Sequence, residues 1–169
     1  MNIPKPMPTR QDLESVFTYD PESGKLYRLT LSNGVESLTE CGAKQKSARY
    51  KLVSFKNERY LIHRLIWVMI HGRSPEGEVD HVDGDPNNNR PGNLRLATSR
   101  QNNHNRRLSV RNKSGVKGVL WVEKIQRWRG LVIDQGHQHF VGHFLTVEEA
   151  AVAVAAKRKR LHGSFCNHG

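Results

Sequence analysis

Asp80 and His81 stand side by side in this chain, and two amides follow them at a distance, Asn93 and Asn102. These residue types could together cut a phosphodiester. That reaction needs a base to take a proton from water. It needs a cation to stabilise charge on the phosphate and on the departing 3′ oxygen, and a group that holds the base in the right tautomer. An imidazole, with an ordinary pKa of roughly 6.5, is mostly neutral at physiological pH and suits the first task. A hard cation such as Mg²⁺ keeps several waters, so one carboxylate and one amide oxygen suffice for the second.

The surrounding elements must bring these groups together. Neighbours on a regular strand face opposite ways, so the strand ending in Asp80-His81 has to stop or bulge there. Gly84, Asp85 and Pro86 supply the break, and Asn87, Asn88 and Asn89 read as turn residues. A second short strand is expected over 93–97. Thr98 and Gln101 have capping-box spacing, which starts a helix and puts Asn102 in an early turn of it.

Upstream, Pro4, Pro6 and Pro8 keep the first residues extended, and Thr9 with Asp12 caps a short helix through Val16. Residues 17–19 and 25–29 read as two strands around an Asp20–Gly24 turn. Residues 32–48 are polar and Gly-containing and are expected to be a loop. A second hairpin is expected over 50–55 and 59–62. Leu65, Ile66, Met69 and Ile70 recur at helical spacing, so 63–71 is a short buried helix. His63 and Arg64 at its start have two readings: a cap with a solvated Arg, or groups near the scissile phosphate, because a helix N-terminus favours an anion.

Charge is unevenly placed. Residues 1–100 hold 15 Lys and Arg against 12 Asp and Glu, whereas residues 101–169 hold 12 against 4. A basic half beside a near-neutral half is an electrostatic handle for a polyanion, nucleic acid first. No long basic amphipathic helix supports a membrane surface instead. Only 36% of the 169 residues are hydrophobic, which suits two small modules better than one large core. The two cysteines, Cys41 and Cys166, form no Cys-x-x-Cys pair; a zinc knuckle lacks ligands, and reduced thiols in a cytoplasmic protein are expected. Residues 1–10 lack the apolar run of a signal peptide, and no apolar run reaches membrane-spanning length.

Residues 108–115 are basic and polar and read as a linker. Three strand-like runs follow over 116–122, 127–133 and 138–144, and Thr146 with Glu149 opens a helix from Val147 to about Leu161. Its alanines let it lie close to a sheet. The other face of that sheet needs a task, and Lys117, Trp121, Arg127, Arg129, His137 and His139 are its candidate residues. A small sheet fits the major groove, and Arg suits guanine edges and phosphates.

Asp80-His81, Asn88-Asn89-Arg90, Asn93-Leu94-Arg95 and Gln101-Asn102-Asn103 together resemble the signature of the HNH endonucleases, in the subgroup of phage and intron-encoded homing enzymes. His63-Arg64-Leu65-Ile66-Trp67 and His71-Gly72-Arg73-Ser74-Pro75 resemble the lead-in of phage members. The resemblance implies a ββα-metal fold in which His81 is the general base and Asp80 a metal ligand. Asn93 orients the His or braces the loop, and Asn102 is the second ligand to one Mg²⁺ (or Mn²⁺). His104 is left as an alternative to Asn102, and Arg64, Arg90 and Arg95 as DNA contacts. Lys117-Gly118-Val119, Arg127-Trp128-Arg129, Val141-Gly142-His143-Phe144, Thr146 to Ala151 and Leu161-His162-Gly163 resemble the Apetala-type (ethylene-response-factor) DNA-binding domain. That implies base, sugar and phosphate contacts by strand residues, with Lys117, Trp121, Arg127, Trp128, Arg129 and His139 as candidates.

The expectation is therefore an α+β protein in two modules. Residues 1–107 hold N-terminal β-hairpins and the nuclease, 108–115 a linker, and 116–169 a three-stranded antiparallel sheet on one helix. The function expected is site-preferring, metal-dependent cleavage of double-stranded DNA, one strand per monomer, by a monomer or homodimer away from membranes, in the host cytoplasm if phage-encoded. The alternative is a DNA-binding regulator that keeps the nuclease scaffold without cutting.

Overall fold

The computed structural model describes residues 6–42, 50–105, 108–109 and 112–167. It is a mixed α and β structure of small antiparallel sheets and few helices. Its contacts divide the chain into two units, Met1–Ala97 and Thr98–Gly169. The helix that carries Asn102 therefore groups with the C-terminal residues, whereas the sequence reading assigns it to the nuclease module.

In the first unit, α1 (Arg10–Glu14) starts on the expected box: Thr9 Oγ1 accepts from the Asp12 backbone N–H, and the Asp12 carboxylate accepts from the Thr9 N–H. Strands β1 (Phe17–Asp20), β2 (Lys25–Ser32) and β3 (Val35–Glu40) form one meander. This corrects the loop expected over 32–48. Asn33 and Gly34 both take positive φ, 52° and 77°, and such a pair closes a two-residue hairpin whose twist matches its strands. The remainder of that stretch, 43–49, lies outside the described residues. Strands β4 (Leu52–Phe55) and β5 (Glu58–Leu61) pair around Lys56-Asn57.

Helix α2 (Ile62–His71) ends on Gly72 in the left-handed conformation. Its Leu65, Ile66 and Val68 are buried, and they pack with Leu13, Phe17, Leu26, Val79 and Leu94 into this unit's core. The core seats the hairpin of β6 (Glu78–His81) and β7 (Leu94–Ala97), with Asp80 opposite Arg95 and His81 opposite Leu94. Asn93, expected to open the second strand, instead ends a 3₁₀ turn, Pro91–Asn93.

The second unit begins with α3 (Ser99–His104), capped by the Thr98–Gln101 box. Strands β8 (Val119–Val122), β9 (Arg127–Asp134) and β10 (His137–Phe144) form an antiparallel sheet in the order β10-β9-β8, and α4 (Val147–His162) packs against it. Val119, Val132, Ala150 and Val154 are its buried centre. Gly130 of β9 permits the close approach of α4: a Cβ on it would stand 2.8 Å from the Val154 side chain. Among the described residues no helix is long and apolar enough to cross a membrane, and both cysteines are free thiols.

Candidate active site

Strand β6 stops at His81, as the adjacency of Asp80 and His81 requires. The Gly84 N–H closes a turn on the His81 carbonyl at 2.8 Å, and the Val82 N–H donates to the Asn93 carbonyl at 2.9 Å. Both side chains are buried, Asp80 to 5% exposure and His81 to 3%. His81 faces α2: its ring meets His63 edge-on at 5.2 Å between centroids and lies near-parallel to Tyr50 at 6.3 Å. Burial, then the charges of His81 and Arg64, push His63 down to about 3, so it sits beside His81 as a neutral ring.

The His81 Nε2 lies 2.9 Å from Oδ1 of Asn89, itself buried. An amide oxygen only accepts, so in this bond the His81 Nε2 is the donor. The orienting residue in contact is thus Asn89, which the sequence reading treats as a turn residue. Its only sequence signal is its place between Asn88 and Arg90 in the resemblance.

Asn93 makes the contacts of a brace. Its Oδ1 accepts from the Asp83 backbone N–H at 3.1 Å, and its Nδ2 donates to Asp83 Oδ1 at 3.0 Å and to the Asn88 carbonyl at 2.6 Å. Asp83 gathers the loop further, accepting from the Asp85 N–H and from Asn88 Nδ2, each at 2.7 Å. Burial works against the Asp83 carboxylate, but these donors and the nearby His81 outweigh it and hold its pKa below the ordinary value.

Asp80 pairs across the hairpin with Arg95, whose Nε and guanidinium nitrogen both lie 2.9 Å from Asp80 Oδ2. A carboxylate is a hard oxygen donor, which fits the donor chemistry of Mg²⁺ or Mn²⁺. Arg90 donates from Nε to the Glu22 carbonyl at 2.6 Å and from Nη1 to Asn88 Oδ1 at 3.2 Å. Arg64 donates to the Gly77 carbonyl at 2.9 Å. The three arginines read as DNA contacts all have partners within the unit.

In the second unit, Asn102 lies on α3, which is tied down by its neighbours. Asp134, at the end of β9, takes two bonds from Arg100 at 3.0 Å and one from His104 Nε2 at 3.0 Å. His104 also stacks on His162 at 3.6 Å, nearly parallel. Asp134, His104 and His162 bring one ligand atom each within 4.8 Å of one another. Parallel rings direct their in-plane lone pairs side by side rather than at one point, so in this geometry the cluster is a polar anchor. His104, the alternative to Asn102, is engaged in that anchor.

Register sorts the sheet candidates. Trp128 packs with the core, and Trp121 and His139 pair with Trp128 and Val132, so they share its helix-facing side. Arg129 pairs with Leu120 and His143 on the open side, where Arg127 also lies. A bulge between Phe140 and Gly142 sets this sorting. Lys117 donates from Nζ to the His104 and Asn167 carbonyls, and burial followed by the Arg158 charge pushes it down to about 8. It is a structural cation here.

A strand, a buried Asp-His pair, an Asn-braced loop and a return strand define the HNH class of nuclease domain, and the HNH endonuclease family profile matches residues 60–104. The chain thus carries an HNH endonuclease domain at residues 60–104, and that family implies DNA as the substrate. It is 37% identical to Protein 3.8 of Escherichia phage T7 over 105 residues, 61% of this chain and 85% of that relative. It is 33% identical to a protein named as an uncharacterized HNH endonuclease in Acanthamoeba polyphaga mimivirus, over 115 residues, 67% of this chain and 59% of that relative. No solved structure matches significantly.

Proposed function

We propose that this protein is a metal-dependent DNA endonuclease of the homing type, with His81 as general base. The observation that carries the reading is the buried His81 whose Nε2 donates to Asn89 Oδ1; on this reading Nδ1 is the atom that takes the proton. In the reaction, His81 Nδ1 takes the proton of a water as that water attacks phosphorus, and the bond to the 3′ oxygen breaks. Asn93 and Asp83 hold the loop during the step, and burial of His63 keeps a second positive charge away from His81. Asp80 would be a ligand of one Mg²⁺ or Mn²⁺. Bound there, the ion supplies Lewis-acid stabilisation of charge on the phosphate and leaving group.

The three-stranded sheet with its helix supports the Apetala-type reading of the C-terminal residues. Arg127 and Arg129 are the side chains best placed for DNA. On this reading they give site preference, and each monomer, holding one site, nicks one strand. Plasmid nicking by the parent and by His81→Ala, with Mg²⁺ and with EDTA, tests the proposal. Nicked circles are expected only from the parent with metal. If the parent breaks no strand on any DNA tested, the protein is a non-cutting DNA-binding regulator and the proposal falls.

A further inference from the structure

The turn between β1 and β2 reaches the loop that holds the base. Tyr19 donates from its hydroxyl to the Asn89 carbonyl at 2.8 Å, seventy residues away in sequence. The Glu22 carbonyl accepts from Arg90 Nε at 2.6 Å. Between these bonds lies Gly24, with φ +71°. A Cβ on it would stand 2.9 Å from the Arg90 backbone nitrogen and 3.0 Å from the Asn89 carbonyl carbon. Only glycine lets the two backbones approach this closely. The turn is itself rigid: Asp20 accepts from the Glu22 N–H at 3.0 Å and from the Ser23 hydroxyl at 2.5 Å, and the Gly24 N–H closes it on the Asp20 carbonyl at 2.9 Å.

Asn89 is thus gripped from both sides. Its backbone is held by the hairpin turn and its side chain is spent on His81. Asn93 and Asp83 brace the same loop through Asp83, Asp85 and Asn88. The geometry points to Asn89 as the positioning residue that sets the tautomer of the catalytic base, with the β1–β2 turn as the clamp that aims it. This inference rests on the nuclease reading. It assigns a catalytic purpose to an N-terminal hairpin that lies outside the matched family segment at residues 60–104.

The inference makes the clamp part of catalysis rather than of DNA binding. Displacement of a reacting group by about 1 Å can cost on the order of a hundredfold in rate. Asn89→Ala should therefore lower kcat by about that factor with DNA affinity unchanged, and Tyr19→Phe and Gly24→Ala should lower it in the same sense by less. The test combines single-turnover nicking, DNA binding in EDTA and ¹⁵N NMR of the His81 ring in the full chain. The parent should carry its ring proton on Nε2, and Asn89→Ala should show a tautomer mixture while circular dichroism stays that of the parent.

A parent His81 protonated on Nδ1, or Asn89→Ala nicking at the parental kcat, overturns the assignment. If Asn89→Ala does not fold, Tyr19→Phe and Gly24→Ala decide it, and parental kcat in both overturns the clamp. A parent that never nicks DNA refutes the nuclease reading instead; the NMR then judges the Asn89–His81 bond on its own.

Discussion

Replacing Arg95 with Met should expose how much the metal-binding end of the site depends on one ion pair. Arg95 places two nitrogens on Asp80 Oδ2 at 2.9 Å, with the carboxylate 5% and the Arg side chain 20% exposed. Methionine keeps much of the stem and removes the charge. Breaking one side of a buried ion pair costs about 3–5 kcal/mol, because the surviving charge is left without its partner. A fifth of the Arg95 side chain reaches solvent, so the lower end, about 3 kcal/mol, is the better figure. A unit of this size loses roughly 4–8 °C in Tm per kcal/mol, so Arg95→Met should melt about 12–24 °C below the parent in EDTA. Adding Mg²⁺ should raise the variant's Tm more than the parent's, since an ion on Asp80 replaces the missing charge. Asp80→Asn with Arg95→Met closes a double-mutant cycle and should recover part of the loss. A drop below roughly 5 °C, or equal Mg²⁺ shifts in both proteins, would refute the reasoning.

Three further outcomes follow from the same structure. His63 titrates at about 3 when folded and near its ordinary value when unfolded, so between those values the unfolded chain holds the extra proton. Its contribution is fully present above about pH 6.5 and lost as pH falls, by about 1.4 kcal/mol per pH unit. Denaturant titrations from pH 7 to 4 should show that slope in the parent, and a shallower one in His63→Leu. Arg127→Ala and Arg129→Ala should each reduce the slope of log K against log salt by about 1 if each meets one phosphate; an unchanged slope in both would remove them from the interface. Asp134→Ala removes the acceptor of Arg100 and His104, each bond worth about 1–3 kcal/mol. A six-residue helix does not stand alone, so amide exchange over 102–105 should accelerate at least about tenfold, and parental protection there would show that the anchor is dispensable.

Much of the site was legible because its signals are local. Asp80 beside His81 demands a strand end, and the turn residues after them provide it. The pairs Thr9–Asp12, Thr98–Gln101 and Thr146–Glu149 mark three helix starts because a cap is built from residues three apart. Asn33-Gly34 was equally local, and the turn it makes was hidden only by the polar residues around it.

Other features depend on partners that sequence distance conceals. Asn89 and Asn93 are chemically the same, four residues apart in one loop, and only the folded loop decides which meets the imidazole and which meets Asp83. Tyr19 and Gly24 gain their meaning from a loop some seventy residues on. The β10 bulge decides which sheet residues face α4, since a shift of one residue turns every side chain over. The sequence by itself determined the chemistry available at Asp80-His81 and the elements around it, because caps, turns and strand alternation are short-range. The tertiary structure alone decided that Asn89 holds His81, that Arg95 holds Asp80 and that Asp134 anchors α3, because those pairings exist only after distant backbones have packed.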